Sequence, residues 1–284
     1  MKLSRAWIAI VLAILVATTS GCGVINRIRS KNQLNEAARA YRERRYVEAE
    51  QYSRRSAELD PNNKTAAMFI ARSILAQYRP GVQQPENLAK AQEAIQAYQQ
   101  ILADNPQNDD AYKAIAYLYG AINEDAKLRD WILARANSDS AEPDKRAQAF
   151  IVLASQDWNC SFQITELPAH KITTVDQSTI KATVTYKKPA DQKDFDQAQM
   201  CVKRGLGEAE NAIKYAPENE SAWSYRTNLL LEASKLAEMA GQTDQKAKYQ
   251  EEYQAALKRT TELSELARKR KAEEEAKQAA SPQG

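Results

Sequence analysis

The chain has 284 residues, of which 43% are hydrophobic and 27% are charged, a composition typical of folded globular proteins. Its formal net charge is +3, and loss of the two basic residues of a leader would leave +1, so charge does not indicate a nucleic-acid partner. The chain has only 8 Gly and 9 Pro but many Ala, Gln, Glu, Lys and Arg. That balance favours helices, because these side chains lose little freedom on a helical backbone.

The N-terminus has the pattern of a secretion signal. Two basic residues precede an apolar run at residues 6–17, and small or polar residues at 18–21 lead to Cys22. A basic start, an apolar segment of about a dozen residues and a small-residue cleavage region are typical of signal peptides. The run is shorter than the roughly 20 apolar residues of a membrane-spanning helix. We therefore predict a signal peptide over residues 1–21.

The pair Gly21-Cys22 resembles a bacterial lipobox. The resemblance implies that the Cys22 thiol takes a diacylglycerol, that the chain is cut before it, and that the new amine receives a fatty acid such as palmitate. Several acyl chains anchor a protein where one chain binds only marginally. Gly23 resembles the enterobacterial sorting pattern, which implies an outer-membrane protein facing the periplasm. The alternative is ordinary secretion with an incidental cysteine.

Residues 22–30 are predicted to form the lipidated N-terminus and its tether. Arg27, Arg29 and Lys31 follow the cysteine closely and could touch anionic head groups. Of the two interpretations, we favour a solvated tether.

A short proline-containing motif recurs in the body of the chain. Residues 60–63, 105–108 and 216–219 each read Pro-x-Asn after their first residue, and each separates two helical patterns. Proline cannot continue the preceding helix, but it can open the turn that starts the next one. These segments therefore predict helix boundaries.

The stretch YVEAEQYSRRSAELDPNN resembles the second helix and closing turn of a tetratricopeptide (TPR) repeat, with Tyr46, Ala49 and Pro61 at the family's aromatic, small and proline positions. The architecture over residues 31–267 is similar to that of bacterial TPR lipoproteins, especially acidobacterial ones. The resemblance implies an all-α, TPR-like superhelix of about five helical hairpins. The spacing of the prolines exceeds the ~34-residue TPR period, so a loop at 78–85 and a longer insertion are expected.

The insertion is predicted to be a small two-stranded β-hairpin within the fourth helical hairpin, at about residues 159–190. Residues 171–175 and 179–186 alternate and are rich in β-branched side chains, as strands are, and residues 176–178 join them. A lone hairpin is marginal in water, so it should lean on the helices. Residues 268–284 form a charged tail, which is expected to fray and become partly disordered.

Two cysteines flank the insertion, Cys160 and Cys201. Disulfides persist in exported proteins, and a bond here would close a loop of about 40 residues and stabilise the fold by about 3–4 kcal/mol. We predict this disulfide; two separate buried thiols are the alternative. With a single, distant histidine, the cysteines lack the four-ligand spacing of a metal site.

Nothing in the sequence indicates catalysis. The one histidine, His170, has no nucleophile elbow beside it and is interpreted as a surface residue. No Walker loop or GxGxxG occurs. Gly205 and Gly207 suggest a close helix crossing or a kink, and the carboxylates are expected on exposed helix faces. We predict that the protein is not an enzyme and has no cofactor, no metal and no small-molecule substrate.

A TPR-like array implies a concave groove lined by the first helix of each hairpin. Arginine and tyrosine suit such surfaces, although packing is an equal alternative for the two tyrosines. The groove clamp for a terminal carboxylate needs Lys and Asn where this chain has Leu34 and Ala38, so that ligand is not predicted. The groove candidates are Tyr41, Arg42, Arg72, Lys113, Tyr117 and Asn228.

These features predict an exported, lipid-anchored TPR scaffold that mediates protein–protein interaction in the cell envelope. Its partner would be an envelope protein or peptide, and it would meet the membrane through lipid on Cys22. An accessory or assembly subunit of an envelope enzyme, or of a secretion or outer-membrane machine, is the alternative. A glycan-binding role for Trp131, Trp158 or Trp223 is less favoured, because their spacing is that of core residues.

Overall fold

Helices dominate the computed structural model, which describes residues 3–176 and 181–280 and the side chains of 23–175 and 182–277. Within these ranges the chain forms ten α-helices and one two-stranded antiparallel sheet. The helices are α1 (Leu3–Arg42), α2 (Tyr46–Leu59), α3 (Lys64–Gln77), α4 (Pro85–Asp104), α5 (Asp109–Ala121), α6 (Asp125–Ala136), α7 (Pro143–Thr165), α8 (Gln192–Tyr215), α9 (Glu220–Met239) and α10 (Thr243–Ala280).

Successive helices pair as α1–α2, α3–α4, α7–α8 and α9–α10, and a three-residue turn that includes Asn123 at φ 58° joins α5 to α6. With α5 and α6 counted as the third helical hairpin, the sheet lies within the fourth, between α7 and α8. The predicted all-α, TPR-like fold with a β-hairpin insertion in the fourth helical hairpin is confirmed.

Each Pro-x-Asn segment ends one helix and also caps the N-terminus of the next. Asn63, Asn108 and Asn219 are the N-caps of α3, α5 and α9. Each side-chain oxygen accepts a backbone hydrogen bond from the residue three positions ahead, at 3.0–3.3 Å. These bonds satisfy N–H groups that have no partner within the helix. The recurring asparagine therefore starts the helix that follows each proline.

The chain divides into two compact units, Met1–Leu128 and Arg129–Gly284. In the first unit, small residues line the contact of α1 with α2: Ala37, Ala40 and Ala49 are fully buried. A larger side chain at these places would push the helices apart. The expected small position at Ala49 is confirmed.

In the second unit, Gly205 allows a close approach of α8 to its neighbours. A Cβ atom there would lie 2.7 Å from the Leu229 side chain and 3.1 Å from the Asp157 Cβ. The helix crossing predicted from the two glycines is confirmed at Gly205. Gly207 has open space beside it, so this second glycine does not contribute to the crossing.

The insertion contains strands β1 (Lys171–Asp176) and β2 (Lys181–Tyr186), which pair in an antiparallel register from Lys171↔Tyr186 to Asp176↔Lys181. Residues 177–180, which include most of the predicted joint and the predicted start of the second strand, lie outside the described residues. Strand β2 packs on α9. The hairpin therefore leans on the helices, as its small size requires.

Both ends of the described chain are helical. Residues 22–30 lie within α1, and α10 continues to Ala280. Residues 281–284 of the predicted tail lie outside the described range, as does the side chain of Cys22. Among the described residues, no helix has both the length and the apolar character to cross a bilayer.

Candidate partner-binding surface

The predicted groove residue Tyr41 lies near the end of α1 in an aromatic cluster. Its ring makes edge contacts with Tyr46 and Phe69, at centroid distances of 5.2 and 6.4 Å. Such contacts are the preferred geometry of aromatic pairs. Tyr41 is half-buried, so it both packs and presents an edge to solvent, while its neighbour Arg42 is exposed.

Arg72 on α3 joins the next hairpin through an ion pair with Asp110 on α5. Its guanidinium nitrogen lies 3.0 Å from the carboxylate, and the two side chains are 47% and 70% exposed. Tyr98 of α4, which interacts electrostatically with both of these residues, is buried, and that burial raises its pKa to about 12. Arg72 opposes this rise, whereas Tyr41 and Asp110 add to it. The four side chains therefore lie within electrostatic range of one another.

Lys113 and Tyr117 occupy successive turns of α5. The Lys113 ammonium lies 2.7 Å from the Asp109 carboxylate, and Tyr117 is 51% exposed. The nearby Tyr78 is buried, which raises its pKa, and Tyr117 adds to the rise. Of these two residue types, tyrosine is the one enriched at protein–protein interfaces.

Five of the six predicted groove residues thus lie in the first unit, on α1, α3 and α5. Asn228 lies in the second unit, half-buried on α9. We refer to the five residues of the first unit as the first-unit surface: Tyr41, Arg42, Arg72, Lys113 and Tyr117. Arg72 is paired across helices with Asp110 of α5, whereas Lys113 is paired within α5 with Asp109.

The second unit contains the predicted disulfide. Cys160 of α7 and Cys201 of α8 are bonded, with 6.2 Å between their Cα atoms and 41 positions between them in sequence. The disulfide prediction is confirmed. It links the two helices at the base of the β-hairpin insertion.

A buried polar cluster lies beside that insertion, and sequence reasoning did not anticipate it. Lys235 donates to Glu166 at 2.7 Å and to Glu232 at 2.5 Å. Ser161 and Thr165 also donate to Glu232, at 2.9 and 2.6 Å. Glu232 is 1% exposed, and a carboxylate so buried needs this full set of donors. We call these five residues the Glu232 cluster.

The cluster holds the hairpin to the helices. Lys171 and Tyr186, which face each other at the open end of the sheet, both donate to Glu166, at 2.9 and 3.2 Å. Burial alone would raise the pKa of Glu166, but the hydrogen bonds from Lys235 and Lys171 outweigh it and hold the pKa at about 2. The backbone N–H of Tyr186 also donates to Glu238, at 3.1 Å.

A second buried charge cluster joins α6, α7 and α8. Asp157 is 1% exposed and accepts from Arg129 at 3.1 Å and from Arg204 at 2.5 and 3.2 Å. Arg129 also pairs with Glu208. Burial, and then the nearby Asp157 charge, raise the pKa of Glu208 to about 8. For the buried acids of these clusters, the expectation that carboxylates occupy exposed faces is wrong.

His170 is also buried, at 8% exposure, so its interpretation as a surface residue is wrong. A short 3-10 turn (Pro168–His170) follows α7 and carries the ring back to that helix. There the His170 Nδ1 lies 2.7 Å from the Ile164 carbonyl oxygen. This bond satisfies one of the last carbonyls of α7, which is a structural role.

Two of the tryptophans also have structural contacts. Trp158 lies against Phe162 and Tyr225, with centroids 5.0 and 6.2 Å apart. The Trp223 indole N–H donates to the Pro217 carbonyl at 2.8 Å. Trp131 is half-buried on α6. Among the described residues, no group of three or more His, Cys, Asp or Glu side chains is arranged to hold a metal ion.

Comparison of the chain with protein-family models and with curated proteins finds no match. Among solved structures it is similar to residues 41 to the end of MamA from Desulfovibrio magneticus RS-1, with 13% identity, a TM-score of 0.40, and coverage of 85% of this chain and 96% of that one. It is also similar to YrrB, "a TPR protein with an unusual peptide-binding site", with 11% identity, a TM-score of 0.36, and coverage of 79% and 88%. A third similar structure is a tetratricopeptide repeat protein from Parabacteroides merdae ATCC 43184. Its sequence identity is 13% and its TM-score is 0.33, and the match covers 84% of this chain and 98% of that one. The fold assignment itself rests on the helices described above.

Proposed function

We propose that the protein is an exported, lipid-anchored TPR scaffold whose first-unit surface binds another protein of the cell envelope. The observation that carries this proposal is the half-exposed Tyr117, which lies one turn from Lys113 on α5, the helix to which Arg72 is also paired. Tyrosine and arginine are enriched where proteins recognise one another.

The charges of this surface can change partner at low cost. An exposed ion pair such as Arg72–Asp110 contributes only about 0–1 kcal/mol to stability. A carboxylate on a bound peptide can therefore take hydrogen bonds from Arg72 or Lys113 without loss of fold stability. Arg72 is suited to this because its planar guanidinium can bind a carboxylate through two parallel bonds. We propose that the partner presents an extended segment with acidic side chains.

The proposed anchor is the lipid on Cys22, after removal of residues 1–21. It is supported by the basic, apolar and small-residue order of the leader and by the Gly21-Cys22 junction. Mass spectrometry of the mature protein tests this part of the proposal. A diacylglyceryl-modified, N-acylated Cys22 is expected, and an unmodified Cys22 in the mature chain would contradict it.

Photocrosslinking in cells tests the binding surface. A photoreactive amino acid at position 117 is expected to give one specific protein adduct. Met200 of the second unit provides a matched control, because it is also 51% exposed. Equal labelling from positions 117 and 200, or no specific adduct from 117, would contradict the proposal.

A further inference from the structure

The segment of α1 at residues 24–31 has one face fixed against the rest of the first unit. Ser30 is fully buried, and its hydroxyl donates to the Ser56 carbonyl of α2 at 2.9 Å. The Asn63 side chain donates to the same hydroxyl at 3.1 Å. These bonds set the rotation of α1 about its axis. They therefore decide which of its side chains point away from the first unit.

The opposite face of this segment is apolar and exposed. At 100° per residue, Val24, Ile25 and Ile28 cluster on the side of the helix away from Ser30. They are 58%, 50% and 56% exposed. Three large aliphatic side chains together on a surface indicate an interaction site more than scattered single residues would.

Cations border this apolar stripe on both sides. The same helical geometry places Arg27 and Lys31 along one edge and Arg29 along the other, and all three are exposed. Residues 23–35 contain no Asp or Glu. An apolar stripe between two cationic edges is the arrangement of helices that lie in the plane of an anionic membrane surface.

We propose that this face of α1 lies on an anionic bilayer, with Val24, Ile25 and Ile28 in the head-group boundary and the three cations on lipid phosphates. The inference rests on the proposed lipid anchor, since Cys22 lies only two residues before Val24 and would bring this turn to the membrane. It replaces the solvated tether expected from the sequence. Because α1 continues into the first hairpin, the contact would also orient the first unit on the membrane.

The test uses the mature acylated protein with Ile28→Cys, labelled with an environment-sensitive fluorophore. The native cysteines are bonded or, in the proposed mature form, acylated, so the new thiol takes the label. In vesicles of phosphatidylcholine with phosphatidylglycerol, the emission is expected to shift to the blue and to be quenched several-fold by a lipid-borne quencher. Val47→Cys, at a site of matched exposure (57%) on α2, is expected to show neither effect.

Charge reversal separates lipid from other occupants. In the labelled Ile28→Cys protein, adding Arg27→Glu/Arg29→Glu/Lys31→Glu is expected to abolish the blue shift and the quenching. The labelled protein with its three cations intact is expected to show neither effect in vesicles of pure phosphatidylcholine at high salt, because anionic lipid is absent and exposed charges are screened. Reversal of three exposed lysines on α10 is the control and should preserve the blue shift and the quenching. Those lysines are Lys258, Lys269 and Lys271.

Three results would overturn the proposal. A label at position 28 that stays as solvated as the one at 47 would show that the face does not touch lipid, while the anchor stands. A blue shift that depends on protein concentration but not on anionic lipid would show that a second copy or a partner helix covers the face. An unmodified Cys22 in the same sample, read by mass spectrometry, would refute both the anchor and this contact.

Discussion

The two units differ in the surroundings of the charged side chains described above. In the first unit, Arg72 and Asp110 meet at the surface and are each about half or more exposed. In the second unit, Glu232 and Asp157 are 1% exposed and are surrounded by hydrogen-bond donors. Exposed pairs contribute little to stability and can exchange partners, whereas a buried ion that loses its partner costs much.

The β-hairpin insertion accounts for part of this difference. A two-stranded sheet is marginal alone, and here it is held through Lys171 and Tyr186 to Glu166, and from there to Lys235 and Glu232. The second unit therefore uses polar groups for internal architecture. In the first unit the charges of Arg72 and Asp110 stay exposed, and under the proposed function they are available to a partner.

The largest expected effect is the loss of the carboxylate at the centre of the Glu232 cluster. Glu232→Ala leaves Lys235 buried without its closest partner and should lower the free energy of unfolding by about 3–5 kcal/mol. Urea unfolding measures the change. Glu262→Ala, which removes an exposed carboxylate paired with Arg259, is the control and should stay within about 1 kcal/mol. Equal losses in the two variants would remove the contrast between interior and surface charge.

Removal of the disulfide should have the next largest effect. Cys160→Ala/Cys201→Ala opens a loop of 41 residues and should lower the free energy of unfolding by about 3–4 kcal/mol in the chain-entropy model. Denaturant unfolding with and without a reductant checks this. The reductant should destabilise the wild type and leave the double variant unchanged. A wild type insensitive to complete reduction would contradict the prediction.

The two buried clusters should respond to pH in opposite directions. The pKa of Glu166 is lowered from 4.5 to about 2, so its contribution is present above pH 4.5 and is lost as the pH falls toward 2. The pKa of Glu208 is raised from 4.5 to about 8, so its contribution is present below pH 4.5 and is lost as the pH rises through 8.

Unfolding measured from pH 2 to 9 in Glu166→Gln and Glu208→Gln tests these signs. Glu166→Gln should flatten the acid side of the stability profile, and Glu208→Gln should flatten the neutral and alkaline side. The same change of slope in both variants would show that the two environments do not differ as described.

The smallest expected effect is on the stability of the first unit. Arg72→Ala removes an exposed ion pair and should change the free energy of unfolding by less than about 1 kcal/mol. Thermal unfolding is sufficient to check it. A loss of unfolding free energy as large as that expected for Glu232→Ala would mean that Arg72 is needed for the fold. Arg72 could then not change from Asp110 to a partner without destabilising the protein.

The sequence pattern predicted the turns, the strands and the disulfide, all of which follow from helix boundaries and from spacing along the chain. The prolines at 61, 106 and 217 located the turns, the β-branched run located the strands, and Cys160 and Cys201 were bonded as expected. Each of these features is local, or is brought together by the hairpin geometry that the turns impose.

The buried clusters could not be predicted in this way. Glu232 and Lys235 are three residues apart, which on an isolated helix indicates an exposed ion pair. Their burial depends on α7, where Ser161 and Thr165 lie one turn apart and face Glu232. Those two polar residues, placed among the apolar positions of α7, were the only sequence signal that a buried polar cluster lies there. His170 similarly looked exposed because the turn that buries it depends on the end of the same helix.

The proposed role of the first-unit surface is tested most directly by the affinity of the protein that crosslinks at position 117. The wild type is compared with an Arg72→Ala/Tyr117→Ala variant whose thermal unfolding is measured in parallel. Binding is expected to weaken by about tenfold or more, which corresponds to about 1.4 kcal/mol, with little change in the unfolding temperature. An unchanged affinity in this folded variant would contradict the proposal that the first-unit surface binds the partner.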